Sequence, residues 1–289
     1  MSATIEGKNA MTPPARLTCL IENTSPSPNL NSEHGLALWL EVGDRCILFD
    51  TGRGPAFAEN ARSLGIPLSR AVISAISHGH YDHTGGLVRA LAEAPDARVV
   101  AHAEIACERF RHNEDGSLKP IGMPADARRA LENARQRWHI PQPGEEIAPG
   151  VHVTGTIPMR PSDPTTPFPH FLRGADASAT DRFPDEQALI IKRPDGLVVI
   201  TGCAHAGVLN TVRAAMDLAG GRPVRTLIGG LHLHRFSRPE IERIVAGLRE
   251  LGVQRVSAGH CTGDVGINLL ATEYGQQFQP LQTGTELQL

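Results

Sequence analysis

The chain has 289 residues, 40% of them hydrophobic and 20% charged, enough to bury one large core or two modest ones. Lys plus Arg number 28 against 31 Asp plus Glu, a net charge of -3, which supplies no strong positive field for nonspecific nucleic-acid binding. No stretch approaches the roughly 18–20 consecutive apolar residues of a bilayer crossing, and the first residues lack a secretory apolar core, so the cytoplasm is the expected compartment, with neither membrane nor nucleic acid as a partner.

Residues 1–16 are polar, carry Pro13 and Pro14, and read as a loose tail, with structure starting near Leu17. The apolar stretches 36–42 and 46–49 flank Gly43-Asp44-Arg45, a hairpin pattern whose second strand delivers Asp50 at its end. A helix is expected around 56–64, and 71–77 reads as a short buried strand running straight into His78. Thr84 opens a helix stopped by Pro95, 98–101 reads as a strand, the charged stretch 103–139 as helical, and 151–157 as a strand. Residues 158–184 hold six prolines and almost no aliphatic side chains, which predicts an irregular inserted loop, either a lid or a disordered segment.

Beyond it, 188–191 and 197–200 flank the turn Arg193-Pro194-Asp195-Gly196. A helix over 208–218, a strand over 225–228 and a helix over 239–251 follow; the last carries Ile241, Ile244, Val245, Leu248 and Leu251 as one buried stripe. A strand over 254–258 leads into Gly259-His260. There is no internal repeat or second linker, so 17–289 reads as a single domain of alternating strands and helices.

Five scattered cysteines without a C-x-x-C pair argue against a disulfide framework or zinc ribbon, whereas thirteen histidines against 4% aromatics lean toward metal or acid–base chemistry. His78-Gly79-His80-Tyr81-Asp82-His83 places three imidazoles and a carboxylate within six residues, directly after a buried strand. His78 and His80 can point the same way from an extended chain, while Asp82 and His83 return from the following turn, so one loop can serve two metal ions. Imidazole with carboxylate suits Zn, Fe or Mn and leaves positions open for water.

This segment, with Thr84-Gly85-Gly86-Leu87 behind it, resembles the metal motif of the metallo-β-lactamase superfamily. Glu33-His34-Gly35-Leu36, Phe49-Asp50-Thr51-Gly52, Gly202-Cys203-Ala204-His205-Ala206-Gly207, Gly229-Gly230-Leu231-His232-Leu233 and Gly259-His260-Cys261-Thr262-Gly263 resemble one branch of it. That branch is labelled 7,8-dihydropterin-6-methyl-4-(β-D-ribofuranosyl)aminobenzene-5′-phosphate synthase-like. The resemblance implies an α/β fold, a four-layer αββα sandwich with metals in a cleft at the sheet edges.

Carried over by position, His78, His80, Asp82 and His83 match the first metal motif and His260 the last metal histidine. The bridging carboxylate usual in the superfamily is replaced by Cys203, and His205 is expected to supply a ligand instead. Cys203 itself is open between a thiolate ligand, an inert buried thiol and a nucleophile with His205 as base. A mid-chain metal histidine has no counterpart, since His152 falls in a strand and His170 in the Pro-rich loop. His232 and His234 are expected near the substrate or behind the ligands, with direct ligation as the alternative. His34 belongs either to the cleft or to a structural turn, Asp50 orients a ligand imidazole, and Asp185 contacts metal or solvent. His102, His112 and His139 receive no role, and the arginines of 128–137 read as a solvated helix face.

The function so implied is a metal-dependent hydrolase of a small anionic ester, a phosphoester or phosphorylated pterin-like compound. Two divalent ions, zinc foremost with iron or manganese as alternatives, would activate water. Asp82 would hold a metal and orient that water, and His232 would protonate the leaving group. The rivals are an iron-dependent oxygenase on the same fold and a non-catalytic metal- or ligand-binding sensor. The sequence carries no sign of oligomeric state.

Overall fold

Alternation at the residue level dictates the layers. In the computed structural model, which describes residues 14–113, 115–165 and 171–289, the strand Ala37–Val42 sends Leu38, Leu40 and Val42 into one apolar cluster, and Ala37 and Trp39 into another shared with Phe57, Ala58 and Ala61. Successive side chains of a strand leave opposite faces, so a strand apolar on both faces must be covered on both. Across the core, Leu189, Ile191, Val198 and Ile200 meet the first cluster, while Ile190, Leu197 and Val199 pack against the helices Val208–Leu218 and Arg238–Glu250. The result is helices, sheet, sheet, helices.

The first sheet runs in the order Glu286–Gln288, Ala15–Ile21, Ala37–Val42, Arg45–Phe49, Ala71–Ala75, Arg98–Val100, Trp138–His139. The second runs Phe278–Pro280, Arg255–Gly259, Val224–Gly230, Gly196–Thr201, Leu189–Arg193, Val151–Val153, Glu146–Ala148. In each, a group of parallel strands abuts antiparallel ones. Arg45–Phe49 pairs in parallel with Ala71–Ala75, and Gly196–Thr201 with Val224–Gly230, which pairs in parallel with Arg255–Gly259. Loops leaving the carboxyl ends of parallel strands form the crevice where α/β sheets bind ligands. Here those ends carry Asp50, Ile76 to His78, Cys203, Leu231 to His232, and His260.

Several expectations are corrected. The first strand begins at Ala15, so Ala15 and Arg16 are not tail; residues 1–13 lie outside the described residues. The helix read from Thr84 is two pieces, Tyr81–Thr84 and Leu87–Glu93, divided at Gly85 and Gly86. A Cβ on either glycine would lie 2.0 Å from Arg53 O or 2.1 Å from Thr51 O, so the backbone must pass there bare.

The stretch read as helical over 103–139 keeps a helix only at Ala125–Asn133, with a 3-10 turn after it, and contains the strands Arg109–His112 and Leu118–Pro120. The Pro-rich loop supplies Phe171–Arg173 and Ala179–Thr180, and these four strands form a small antiparallel sheet; residues 166–170, including His170, lie outside the described residues. The cause is long-range charge pairing that local periodicity does not encode. Arg109, 1% exposed, reaches Asp181 at 2.9 Å and Asp185 at 2.7 Å, and Arg173 pairs with Glu104. Among the described residues no helix is long and apolar enough to cross a membrane.

Candidate metal centre

The segment Ile76-Ser77-His78 leaves the buried strand Ala71–Ala75 beside Asp50, which ends the neighbouring strand. Ser77 N and Ser77 Oγ donate to Asp50 Oδ1 and Oδ2, each at 2.7 Å. Gly79 N donates to Asp185 Oδ2 at 2.8 Å, and a Cβ on Gly79 would stand 2.0 Å from Ile105 O and 2.4 Å from Arg109 Nη1. The Arg109–Asp185 pair therefore fixes the loop from below, and Asp185 is a buried support rather than a metal or solvent contact. Asp50, Ala204, His232 and His260 all have φ between 48° and 60°, the left-handed region that side chains adopt at a cost of about 1–3 kcal/mol. Such strain is concentrated at the strand ends around the cleft.

Hydrogen bonds orient each ring. His83 Nδ1 donates to Asp50 Oδ2 at 2.7 Å and His260 Nδ1 to Asn23 Oδ1 at 3.0 Å. His78 Nδ1 lies 2.9 Å from Ser77 Oγ, whose own proton goes to Asp50, so the ring nitrogen is the donor. His205 Nδ1 lies 2.9 Å from Glu186 Oε1; both Glu186 oxygens already accept backbone N–H groups, from His205 at 2.6 Å and Ala206 at 2.7 Å, so here too the ring donates. Four imidazoles thus keep an Nε2 lone pair turned away from their supports.

Those lone pairs converge. His78 Nε2 is 3.1 Å from His80 Nδ1, and His83 Nε2 is 3.1 Å from His260 Nε2 and 3.2 Å from Cys203 Sγ. The ligand atoms of His78, His80 and His205 lie within 4.8 Å of one another, as do those of His34, Asp82 and His260. Cys203 joins one such group with His78 and His83 and another with His260 and Cys261. Donors about 2.1 Å from a tetrahedral ion stand about 3.4 Å apart, so these spacings fit cation ligation, whereas facing lone pairs without a cation or shared proton repel.

The protonation states of His78, His80, His205, His260 and Asp82 agree with that donor set, whereas His83 is drawn toward its charged form. Burial, reinforced by neighbouring imidazoles, holds His78 and His80 well below the usual imidazole range, and burial lowers His260 and brings His205 to about 3. His83 is raised although burial opposes it, because Asp50 and Asp82 face it. Asp82 stays well below the carboxylate range despite burial, held by His83, His260 and His34. Burial raises Glu186 to about 7 and pushes the Cys203 thiol well up. Neutral imidazoles with an ionised carboxylate are the ligating forms.

Six of the expected residues, His80, Asp82, His205, His232, His260 and Cys203, line one cavity of about 130 Å³, with His78 and His83 fully buried beside it. His34 stands at its mouth, Nε2 3.2 Å from Asp82 Oδ2, which places it in the cleft. His232 packs its ring 4.5 Å from that of His205, and His234 Nδ1 donates to Cys261 O at 2.8 Å; among the described residues the donor groups of three include neither. Sequence reasoning missed Glu22, Asn23 and Glu186. Glu22 Oε1 accepts from His260 N at 2.5 Å, so the first strand's end, Glu22-Asn23, grips the last histidine. The signal available for Glu186 was its place beside Asp185, just ahead of a buried strand.

Comparison with known proteins agrees with this geometry. The sequence profile of the metallo-beta-lactamase superfamily matches residues 32–222. The chain is 28% identical over 267 residues to the 7,8-dihydropterin-6-methyl-4-(beta-D-ribofuranosyl)-aminobenzene-5'-phosphate synthase of Methanocaldococcus jannaschii, covering 88% of this chain and 89% of that one. It superimposes on the crystal structure of Tm1679, described as a metal-dependent hydrolase of the beta-lactamase superfamily, with a TM-score of 0.78 and 30% identity over 95% of this chain and 99% of that one. Zn(2+)-bound PqqB from Methylobacterium extorquens, at 14% identity and a TM-score of 0.57 over 95% of this chain and 100% of that one, shares the fold.

Proposed function

Because the chain belongs to the metallo-beta-lactamase superfamily, we propose that it is a metal-dependent hydrolase of a small anionic ester, with a phosphoester or a phosphorylated pterin-like compound as the substrate class. One observation carries the reading: the Nε2 atoms of His83 and His260, brought from separate strand ends, meet at 3.1 Å beside the cavity that His80, His205 and His260 line. A relative named as the synthase of a phosphorylated dihydropterin compound, similar over 88% of this chain, supports the substrate class.

His78, His80 and His205 would hold one divalent ion, and Asp82, His83 and His260 a second, with the Cys203 sulfur 3.2 Å from His83 Nε2 as a further donor. Zinc is the first expectation from the donor types, iron or manganese the alternatives. Such ions lower the pKa of water from about 15.7 toward about 7 and polarise the bond under attack. Asp82 also orients the attacking water from the cavity lining, its Oδ2 3.2 Å from His34 and 3.4 Å from His260. His232, lining the cavity beside His205, is held neutral by burial and the neighbouring imidazoles, so it offers the leaving-group oxygen a ring N–H hydrogen bond rather than a proton.

The test is turnover of phosphomonoester, phosphodiester and thioester substrates with Zn, Mn or Fe. A phosphoester cleaved well above background with one of these metals supports the reading; background rates for every combination contradict it.

A further inference from the structure

Arg111, Lys119 and Arg235 line the mouth of the same cavity, and among the described residues none of the three forms an ion pair. Their contacts are to neutral groups. Arg111 Nη2 donates to Asn113 Oδ1 at 3.2 Å, Lys119 Nζ sits 5.9 Å from the Tyr81 ring centre and the Arg235 guanidinium 5.8 Å from that of Phe171. Asp82, the one carboxylate of the lining, is already held by His34 and His260.

The small sheet builds this cluster at a cost. Arg111 is directly opposite Lys119 on one side and Phe171 on the other, so three adjacent strands carry the row Phe171, Arg111, Lys119. Like charges directly opposed across strands are destabilising. Arg235 adds a third cation over Phe171, and burial together with Arg111 lowers its pKa. The buried Arg109 answers Asp181 and Asp185, and the half-buried Arg98, Arg137 and Arg225 are met by backbone carbonyls, whereas no backbone carbonyl or carboxylate is seen against Arg111, Lys119 or Arg235 among the described residues. An uncompensated cation cluster at a cavity mouth is what an anionic ligand group would neutralise.

The position is also informative. The Phe171 ring centre lies 6.2 Å from that of His80, 6.0 Å from His205 and 6.1 Å from His232, with Arg235 5.8 Å from it. Phe171 therefore neighbours both the Arg235 guanidinium and the three imidazoles.

We propose that Arg111, Lys119 and Arg235 form an anion subsite that holds a phosphate of the substrate remote from the bond cleaved, with Phe171 and Tyr81 flanking the planar body between. The substrate class is then a small aromatic or heteroaromatic compound bearing a second, unreacted phosphate. This deepens the hydrolase reading and rests on it for the chemistry at the imidazoles, but not for the binding of the anion.

The experiment is calorimetric titration of the zinc-loaded protein with inorganic phosphate, read without turnover. Arg111→Gln/Arg235→Gln is expected to lose one equivalent of phosphate, or to bind it about 10-fold more weakly, as loss of charge-assisted hydrogen bonds implies. Arg111→Lys/Arg235→Lys should stay within about 3-fold of the parent, a fraction of one hydrogen bond's worth. Lys119→Gln, at an exposed position, should weaken binding in the same direction. His83→Ala, with its metal lost, should keep this equivalent. Unchanged phosphate binding in the Gln variants, or loss of all phosphate in His83→Ala, would overturn the proposal. Failure of every ester to turn over would instead count against the hydrolase reading alone.

Discussion

His83 Nε2 and His260 Nε2 stand 3.1 Å apart although 177 positions separate them in the chain. Each is aimed from behind by a residue of another strand end: Asp50 behind His83, Asn23 behind His260. A donor pair preset in this way makes metal affinity depend on residues that touch no metal.

Asp50→Asn should therefore weaken metal binding about 10–100-fold while leaving the fold intact. Asp50 accepts both Ser77 and His83, and an amide in its place presents a donor where two acceptor contacts are needed. Competition against a chromogenic chelator measures the change; affinity equal to the parent's would show that the ring is held by packing alone.

Cys203 sits 3.2 Å from His83 Nε2 and shares donor groups with both histidine sets. Burial favours its thiol form, but a bound cation deprotonates a coordinating thiol. Cobalt-substituted protein should accordingly show a sulfur-to-metal charge-transfer band that vanishes in Cys203→Ser, with weaker metal retention. A spectrum identical in both proteins would make the sulfur a packing group.

At Gly79 any side chain collides with Ile105 O at 2.0 Å and Arg109 Nη1 at 2.4 Å. Gly79→Ala should cost about 1–3 kcal/mol of stability by forced displacement and lower metal content, because the shifted loop carries His78 and His80. Denaturant midpoints and metal analysis read the two effects together; a variant with parental stability would mean that the loop yields freely.

A control lies far from the cleft. Ser237 and Glu240 form a reciprocal capping box at the start of the helix Arg238–Glu250. Ser237→Ala should cost about 1 kcal/mol with metal content unchanged, which separates general destabilisation from effects on the centre.

What the sequence made legible follows from range. His78 to His83 are neighbours in the chain, so strand, turn and ligand types are all visible within a few residues. The helix Val208–Leu218 and the hairpin Leu189–Arg193 with Gly196–Thr201 announce themselves through local periodicity and turn residues. Glu186 reaches His205 across 19 positions and Asn23 reaches His260 across 237, pairings that neither spacing nor composition reveals. The small sheet was misread for the same reason, since Arg109 and Asp181, 72 positions apart, hold strands in segments that read as helix and loop. The grip of His205 by Glu186 likewise becomes visible only once the strands Leu189–Arg193 and Gly196–Thr201 pair side by side.

Metal content of the protein purified without added metal, measured beside His80→Ala and His83→Ala, bears most directly on the account. Two equivalents of divalent metal in the parent and the loss of at least one in each variant are expected, with ester cleavage lost in both; about one iron and no zinc would favour oxygen chemistry over hydrolysis. Parental stoichiometry retained in both variants would contradict the centre as drawn.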